Sequence, residues 1–244
     1  MENIVHIKDV VKEYQLGTTV VPALRGVSID VARGEFVSIA GPSGSGKTTL
    51  LNLIGCVDTA TRGIVEVAGH DTAKLSERDL TRLRLDTVGF IFQSFNLVSV
   101  LNVFQNVEFP LLLQGKWTGA QRKEKVNALL EQVGLSKHAK HRPNELSGGQ
   151  RQRVAVARAL VTEPSIVLAD EPTANLDSTT GQQIIDLMKS LNQTKGITFI
   201  FSTHDYKVMK HANAVILLAD GLITGREVPS VAAAAALGHE RPGA

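Results

Sequence analysis

The feature that most constrains the fold is a strand pattern that runs into a glycine-rich stretch and then into a helix. The largely apolar run from Glu35 to Ala40 suits a strand covered on both faces, and an apolar helical pattern follows from Leu50 to Ile54. Other strand patterns, several of them separated by helical patterns, occupy residues 4–10, 27–31, 88–92, 166–169, 198–201 and 214–219. This alternation predicts an α/β fold with a mainly parallel sheet and helices on both of its faces.

The middle of the chain differs, because helical periodicity replaces the strand patterns from residue 102 to about 162. Thr118 and Gln121 form a capping pair that predicts a helix start in this region. We therefore predict one domain over residues 1–225, with a helical subdomain inserted at about 94–162. Residues 226–244 include five consecutive alanines and offer little to bury, so they are expected to form a flexible tail.

Composition and charge exclude several classes of protein. The formal charge of +2 is too small for the basic field that nucleic-acid binding needs, so we expect no nucleic-acid partner. The one cysteine, Cys56, can form neither an intramolecular disulfide nor a zinc cluster, and the first residues lack a signal-peptide pattern, which favours a reducing cytosol. The uncharged stretch from Thr87 to Val107 contains several Asn and Gln residues, which argues against a membrane-spanning helix.

The glycine-rich stretch matches the G-x-x-x-x-G-K-[ST] pattern of a phosphate-binding loop. Its residues are Gly41, Pro42, Ser43, Gly44, Ser45, Gly46, Lys47 and Thr48. Glycines let backbone N–H groups turn toward phosphate oxygens, and the start of the next helix adds positive partial charge. Lys47 is expected to reach the β- and γ-phosphates and Thr48 to ligate Mg²⁺. A chance glycine-rich turn is the alternative, but the flanking strand and helix favour a nucleoside-triphosphate site.

Two acids follow the apolar strand pattern at 166–169. Asp170 and Glu171 would lie at the carboxyl ends of parallel strands, where ligands of such sheets gather. Asp170 is expected to assist the magnesium site, and Glu171 to orient and polarise the attacking water. An acid pair after a strand could equally be structural by itself, but the phosphate loop makes the catalytic interpretation better.

The third motif is the string Leu146-Ser147-Gly148-Gly149-Gln150. The Ser147 hydroxyl and the amides of Gly148 and Gly149 are expected to sit ahead of a helix that runs through Arg151, and to form a second anion-binding helix start. If only the Ser-Gly-Gly part of the string is considered, an ordinary capped helix with a glycine turn is the alternative interpretation.

With the phosphate loop and the Asp-Glu strand, the LSGGQ string resembles the nucleotide-binding domains of ATP-binding-cassette (ABC) proteins, from Ile4 to about Gly225. The resemblance implies a P-loop NTPase core with an N-terminal antiparallel β subdomain and an inserted α-helical subdomain. It implies ATP and Mg²⁺ as cofactors. Beyond the phosphate loop, the ATP-binding residues that it implies are Tyr14, Thr49, Gln93, Ser147, Gly148, Gly149, Gln150, Asp170 and Asp177. The implied catalytic residues are Lys47, Gln93, Glu171 and His204, and the implied magnesium ligands are Thr48, Gln93 and, through water, Asp170.

Four of these positions match the family one at a time. Tyr14 matches the aromatic residue that stacks on adenine, and Gln93 matches the glutamine that touches magnesium and senses the transporter. Asn175-Leu176-Asp177 resembles the loop that crosses the dimer interface, and His204 resembles the histidine that contacts the γ-phosphate. Taken singly, a tyrosine or a strand-end histidine is more often structural.

The resemblance also implies two partners. The first is a second copy of the chain, in a head-to-tail dimer where ATP on Lys47 of one copy is covered by Ser147 and Gly149 of the other. The second is a membrane permease on a separate chain, docking near Gln93–Val98, with this protein peripheral on the cytoplasmic face of the membrane. The alternative is that the apolar residues of this region are core residues of the helical subdomain, namely Phe95, Leu97 and Leu101.

Three strings resemble one branch of the family, the macrolide-exporter and lipoprotein-release ATPases: SGSGKTTLLNLIGCVD, LSERDLTRLR and VGFIFQSFNLVSVLNVFQNVEFPL. The chain departs from many members at Val98-Ser99-Val100, which lacks their proline, and at Ala60-Thr61-Arg62-Gly63, where they read Pro-Thr-Ser-Gly.

Other classes use the same phosphate loop. An ABC ATPase that acts on DNA or ribosomes is the alternative function, although only a compact helical block separates Lys47 from Ser147. A small-molecule kinase would not need LSGGQ. His138 and His141 form an H-x-x-H pair without a third metal ligand and are interpreted as surface residues. The arginines of the following helix are interpreted as one of its faces, namely Arg151, Arg153 and Arg158.

Overall fold

The computed structural model describes residues 2–229, which belong to two compact units. Among these residues, unit 1 comprises 2–74 and 200–229, and unit 2 comprises Leu75–Phe199. The elements are, in chain order, β1 (Asn3–Leu16), β2 (Thr19–Ala32), β3 (Phe36–Ala40), α1 (Lys47–Ile54), β4 (Arg62–Val67), β5 (His70–Asp71), α2 (Glu77–Thr87), β6 (Val88–Ile91), α3 (Val103–Gln114), α4 (Gly119–Gln132), α5 (Gly148–Leu160), β7 (Ile166–Asp170), α6 (Ser178–Lys195), β8 (Thr198–Thr203), α7 (Tyr206–Met209), β9 (Ala214–Ala219) and β10 (Leu222–Glu227). Short 3-10 helices occupy Thr72–Lys74, Ser136–His138 and Pro143–Glu145.

Unit 1 contains an antiparallel sheet with the strand order β2-β1-β4-β5. β1 pairs with β2 from Asn3, opposite Ala32, to Leu16, opposite Thr19, and its other edge pairs with β4. Alternate side chains of β1 such as Val5 are fully buried, so one face of the hairpin packs into the core. This sheet confirms the predicted N-terminal antiparallel β subdomain.

Unit 1 also contains, in this order, β10, β9, β3 and the part of β8 from Ile200 onward. β3 runs parallel to β9, with Val37 opposite Ala214, whereas β10 is antiparallel to β9. Every residue of β3 is buried, and the ring of Phe36 lies 5.0 Å from that of Phe201 in β8. The predicted buried strand before the phosphate loop is therefore confirmed, and its packing fixes the start of that loop.

Unit 2 contains the parallel pair β6-β7 and helices α2 to α6. Val88 lies opposite Ile166 and Ile91 opposite Ala169, so both strands end at the same edge. The helix start predicted at Thr118 is confirmed, because the Thr118 hydroxyl accepts a hydrogen bond from the N–H of Gln121. With the parallel pair β3-β9 of unit 1, this unit confirms the α/β fold class.

The structure differs from the sequence predictions at two element boundaries. Ser147 is extended, with ψ 165°, so α5 begins at Gly148, and both glycines lie in its first turn rather than ahead of it. β10 continues to Glu227, past the expected start of the tail at residue 226, and Arg226 donates to Glu35 and to the carbonyl oxygen of Asp30. From residue 230 onward, the predicted tail lies outside the described residues. Within residues 2–229, no helix has both the length and the apolar character needed to cross a membrane.

Candidate functional site

The phosphate loop connects β3 to α1 in unit 1. Gly46 precedes α1 with φ 106°, and a Cβ added there would lie 2.7 Å from the carbonyl oxygen of Ala23, so this position requires glycine. No side chain caps the first turn of α1, and no acidic residue lies in it. The helix start therefore carries positive partial charge with no carboxylate of its own first turn to offset it, which suits a phosphate group.

Lys47 and Ser45 are the buried polar side chains of this loop. Lys47 is 8% exposed, and its Nζ donates to the carbonyl oxygens of Gly41 at 2.9 Å and Pro42 at 2.8 Å. Ser45 is buried, and its hydroxyl has no hydrogen-bond partner among residues 2–229. A buried hydroxyl without a partner is unfavourable, and an ammonium held by neutral carbonyls lacks an opposite charge. Phosphate oxygens would satisfy both groups, so the loop fits a nucleoside triphosphate.

The other loop residues form the rim of this site. Pro42, Ser43, Gly44 and Thr48 are exposed, and Thr49 is half-buried. His204 is also exposed, directly after β8. The N–H of Asp205 donates to the hydroxyl of Thr203 at 3.0 Å, which turns the chain at the end of this strand.

Tyr14, the predicted adenine platform, is half-buried and held by two neighbours in unit 1. Its hydroxyl donates to Asp58 at 2.9 Å, and Lys12 Nζ donates to the same carboxylate at 2.6 Å while lying 4.8 Å from the centre of the Tyr14 ring. Burial and then the bond to Asp58 raise the pKa of Tyr14. Burial would also raise the pKa of Asp58, but hydrogen bonds from Lys12, Tyr14 and the N–H of Thr59 outweigh it and lower that pKa. One ring face lies over an ammonium, so a base would stack on the other.

In unit 2, β7 ends at Asp170, and Glu171 follows it; both residues are half-buried. Glu171 has φ 47°, a left-handed conformation that residues other than glycine rarely adopt. Such strain concentrates at functional sites, where the surrounding structure holds it in place. The side-chain amide of Gln152 in α5 donates to the carbonyl oxygen of Pro172 at 2.7 Å, so α5 holds the turn after Glu171.

Gln93 and the segment 175–177 are joined in unit 2. Gln93 is exposed two residues after β6, and its carbonyl oxygen accepts a hydrogen bond from the side-chain amide of Asn175 at 2.9 Å. Asp177 caps α6 by accepting from the hydroxyl of Thr180 at 2.6 Å and from its N–H at 2.9 Å. These bonds, the hydroxyl first, lower the pKa of Asp177. Two of the predicted loops are therefore in direct contact.

The signature loop, Leu146–Gln150, is held at the start of α5 by a reciprocal capping box. The Ser147 hydroxyl accepts from the N–H of Gln150 at 3.3 Å, and the Gln150 side-chain oxygen accepts from the N–H of Ser147 at 2.9 Å. A Cβ at Gly149 would lie 2.4 Å from the methyl group of Thr180, so this loop packs closely against the start of α6. Unit 2 thus brings together the signature loop, the segment 175–180 and Gln93.

The glutamine loop, residues 93–98, is held by α5. Phe95 and Asn96 have φ 60° and 48°, and their carbonyl oxygens both accept hydrogen bonds from the guanidinium of Arg158, whose pKa is lowered by burial. Arg151 also lies 5.1 Å from the Phe95 ring. These two arginines therefore contact a loop and do not form a free helix face. The residues expected either to dock a permease or to be core are all half-buried, namely Phe95, Leu97 and Leu101.

Four residues that contact the predicted site were not predicted from the sequence to do so. Lys12 and Asp58 are 46 positions apart, so no local spacing indicates that they meet under Tyr14. Arg158 lies in a helical pattern, and nothing in that pattern indicates that its side chain contacts the glutamine loop. His138 was predicted to be a surface residue, but it is half-buried, and its Nε2 lies 3.1 Å from the side-chain nitrogen of Gln150. The two residues are twelve positions apart, and the sequence gives no other indication of their contact.

Comparisons with known proteins connect these motifs to one family. A family model described as ABC transporter matches residues 24–174. An uncharacterised ABC transporter ATP-binding protein of Methanocaldococcus jannaschii, MJ0796, is 45% identical over 226 residues, which cover 91% of this chain and 96% of that protein. The macrolide export ATP-binding/permease protein MacB of Bradyrhizobium diazoefficiens is 44% identical over 244 residues, which cover 99% of this chain and 37% of MacB.

The same relationship appears in three dimensions. A solved structure of MJ0796, described as a dimeric post-hydrolysis state bound to ADP and Pi, matches this chain with a TM-score of 0.86 at 44% identity. The match covers 92% of this chain and 98% of the solved one.

Proposed function

We propose, from the premise that this chain belongs to the ABC transporter family of ATP-binding proteins, that it dimerises around ATP and drives a membrane permease. As a member of that family it binds ATP and hydrolyses it to ADP and phosphate. The main support for the proposal is that one chain contains two helix N-termini suited to binding phosphate, at Lys47 and at Gly148.

The phosphate loop is the half of the site that grips ATP first. Lys47 exchanges its bonds to the carbonyl oxygens of Gly41 and Pro42 for bonds to the β- and γ-phosphates, which give its charge a partner. The Ser45 hydroxyl gains a phosphate acceptor. Adenine stacks on the free face of the Tyr14 ring, whose orientation the bond to Asp58 maintains.

Mg²⁺ is the proposed metal, with Thr48, Gln93 and, through water, Asp170 as ligands. These residues offer a hydroxyl, an amide oxygen and a carboxylate, and such oxygen donors are the ones that Mg²⁺ prefers. The ion, when bound, neutralises phosphate charge and aligns the terminal phosphate for attack.

Glu171 and His204 are the proposed catalytic residues of hydrolysis. The Glu171 carboxylate orients and polarises the attacking water, and its strained backbone supports a position set by function. His204 contacts the γ-phosphate from the end of β8.

A second copy of the chain is the proposed partner at the ATP site. Ser147 and Gly149 of one copy cover the triphosphate held by Lys47 of the other, so two positive helix starts face one anion. Asp177 and its neighbours lie at the interface between the copies. The dimeric MJ0796 structure with ADP and Pi supports this arrangement, since that protein is similar along almost all of its length. Hydrolysis removes the bridging charge and allows the dimer to open.

The permease is expected to dock near Gln93–Val98, and an apolar groove of unit 2, with a volume of about 410 Å³, adjoins this segment through Phe92. Its walls come from α2, β6, α3 and α5, and include Phe90, Phe92 and Leu113, the last of which is 60% exposed. Arg158 lines this groove and also holds the glutamine loop. A permease helix in the groove would therefore press on the residue that positions Phe95 and Asn96.

The expected permease is a separate chain of the macrolide- or lipoprotein-export type, and the protein is expected to be peripheral on the cytoplasmic face of the membrane. The similarity to MacB, which combines ATP-binding and permease parts by name, supports this branch. The comparisons give no support to the alternative of an ATPase that acts on DNA or ribosomes.

Phosphate release by three proteins tests the proposal. The wild type should release phosphate without an added acceptor, which also excludes a kinase, whereas Lys47→Ala and Glu171→Gln should each lose at least about a hundredfold of that rate. In saturating ATP and Mg²⁺, Glu171→Gln should form a dimer and Lys47→Ala should stay monomeric. A Glu171→Gln protein that remains monomeric would contradict the shared site.

A further inference from the structure

We propose that His138 is a positioning residue for the signature loop, because its imidazole anchors Gln150 and, through Gln150, the N–H of Ser147. The inference rests on the proposed function, in which Ser147 and Gly149 cover ATP bound to a second copy. The inference adds His138, which lies outside the sequence motifs described above, to the residues that position Ser147 and Gly149 against ATP.

The anchor is a chain of two hydrogen bonds through one side chain. The Gln150 side-chain oxygen accepts from the N–H of Ser147 at 2.9 Å, and the nitrogen of the same amide lies 3.1 Å from Nε2 of His138. His138 ends a 3-10 helix, so the ring connects a separate element of unit 2 to the start of α5. Rotation of the Gln150 amide would break both bonds together.

The first bond determines which atom of the Gln150 amide faces the ring. Since the oxygen of Gln150 faces Ser147, the amide presents only N–H donors to His138, and Nε2 must accept. The other ring nitrogen, Nδ1, is buried without a hydrogen-bond partner among residues 2–229. The contact with Gln150 is thus the hydrogen bond that orients this ring within the described structure.

The comparison with two other helix starts shows that the anchor is specific to α5. Thr118 with Gln121 closes the same capping box on α4, and Asn102 with Gln105 closes one on α3. Within the described residues, the side-chain hydrogen bonds of those two glutamines reach no further than their own N-cap residue. A capping box therefore forms without a histidine, and the bond from His138 is an addition to the box that bears the signature loop.

The segment that carries His138 is itself fixed. The first N–H groups of α3, those of Val103 and Phe104, donate to the carbonyl oxygens of His141 and Ala139, both at 2.9 Å. The rings of His138 and His141 are 5.2 Å apart. The start of α3 thus fixes the backbone directly after His138, and the His138 ring in turn contacts the Gln150 side chain.

The test uses Glu171→Gln as the parent, because this protein is expected to form an ATP-held dimer. His138→Leu removes the acceptor at similar size, His138→Gln restores an acceptor oxygen, and His141→Leu is the matched control that removes only the neighbouring ring. Dimer formation in ATP and Mg²⁺ is followed by analytical ultracentrifugation across protein concentrations, and ATP binding to dilute monomers is followed by a fluorescent ATP analogue.

We expect His138→Leu to raise the dimer dissociation constant on the order of tenfold, since each dimer loses the anchor at two sites. His138→Gln should recover most of this loss, His141→Leu should match the parent, and ATP affinity of the monomer should be unchanged in all of them. Dimerisation of His138→Leu at the parent's concentration would overturn the proposal. Equal losses for His138→Leu and His141→Leu, or a loss of ATP affinity in the monomer, would also overturn it by showing a general structural role.

A second measurement uses the wild-type protein and therefore does not depend on whether a variant folds. In the ¹⁵N spectrum of the wild type, Nε2 of His138 should carry no proton, because it accepts the hydrogen bond from the Gln150 amide. A proton on Nε2 would overturn the proposal. If the parent protein stays monomeric in ATP while Nε2 of His138 carries no proton, the shared ATP site is contradicted. The proposed role of His138 at that site is then contradicted as well.

Discussion

The close packing of Gly149 against Thr180 allows a quantitative prediction for Gly149→Ala. The new Cβ would lie 2.4 Å from the Thr180 methyl group, which real contacts essentially never show. Thr180 cannot turn freely, because its hydroxyl donates to Asp177 at 2.6 Å in the cap of α6. Overpacking of this kind costs about 1–3 kcal/mol, and the better helix propensity of alanine returns about 0.5–1 kcal/mol. We expect Gly149→Ala to lower the free energy of unfolding by about 1–2 kcal/mol.

Two further variants separate this mechanism from a general effect of alanine. At Gly148 the nearest atom to an added Cβ is a Leu176 methyl at 3.4 Å, so Gly148→Ala should be neutral or stabilising by up to about 1 kcal/mol. Thr180→Ser keeps the hydroxyl for Asp177 but removes the obstructing methyl, and the remaining Thr180 atoms lie 3.7 Å or more from the new Cβ. The double variant should therefore recover most of the stability lost in Gly149→Ala.

Urea unfolding of five proteins measures these differences: the wild type, Gly149→Ala, Thr180→Ser, their double variant and Gly148→Ala. The unfolding midpoint reports stability where the slope is unchanged. In a double-mutant cycle, Gly149→Ala and Thr180→Ser should couple by about 1 kcal/mol in the favourable direction. Additive effects, or a Gly148→Ala protein as unstable as Gly149→Ala, would refute the packing argument.

Two other predictions concern side chains that the sequence analysis missed. The pKa of Asp58 is lower in the folded than in the unfolded chain, so its contribution to stability is complete above about pH 4, the ordinary carboxyl pKa, and is lost as the pH falls through the folded pKa. Asp58→Asn should therefore flatten the dependence of Tm on pH below about pH 4, and an unchanged profile would contradict this assignment. Arg158→Lys loses the two-pronged contact with the carbonyl oxygens of Phe95 and Asn96, so amide hydrogen exchange in the glutamine loop should accelerate about five- to tenfold. Arg153→Lys, whose arginine contacts Val133 and Gln183 instead, should leave exchange in that loop unchanged.

The elements that the sequence predicted well are those whose signal is local. The buried β3, the glycines and the helix after them follow from neighbouring residues, as does the cap of α4 at Thr118. β9 occupies 214–219, as its apolar run predicted. Gly148 and Gly149 were expected ahead of α5, but Ser147 caps this helix and both glycines lie in its first turn.

The features that the sequence could not predict depend on contacts between distant residues. β4 and β5 carry polar residues and were not predicted; the pairing of β4 with β1 makes it a strand. The support of Tyr14 by Lys12 and Asp58 and the hold of Arg158 on the glutamine loop likewise join separate segments. The roles of the site residues in ATP binding and hydrolysis stay predictions until the variants are measured.

A mixing experiment tests most directly whether one ATP is gripped by two copies. One protein carries Lys47→Ala, the other carries Ser147→Arg, and both carry Glu171→Gln to retain ATP. Each alone should remain monomeric in ATP and Mg²⁺, whereas their mixture should form dimers that retain one ATP, because Lys47 of one copy and Ser147 of the other complete one site. A mixture that stays monomeric would contradict the shared site.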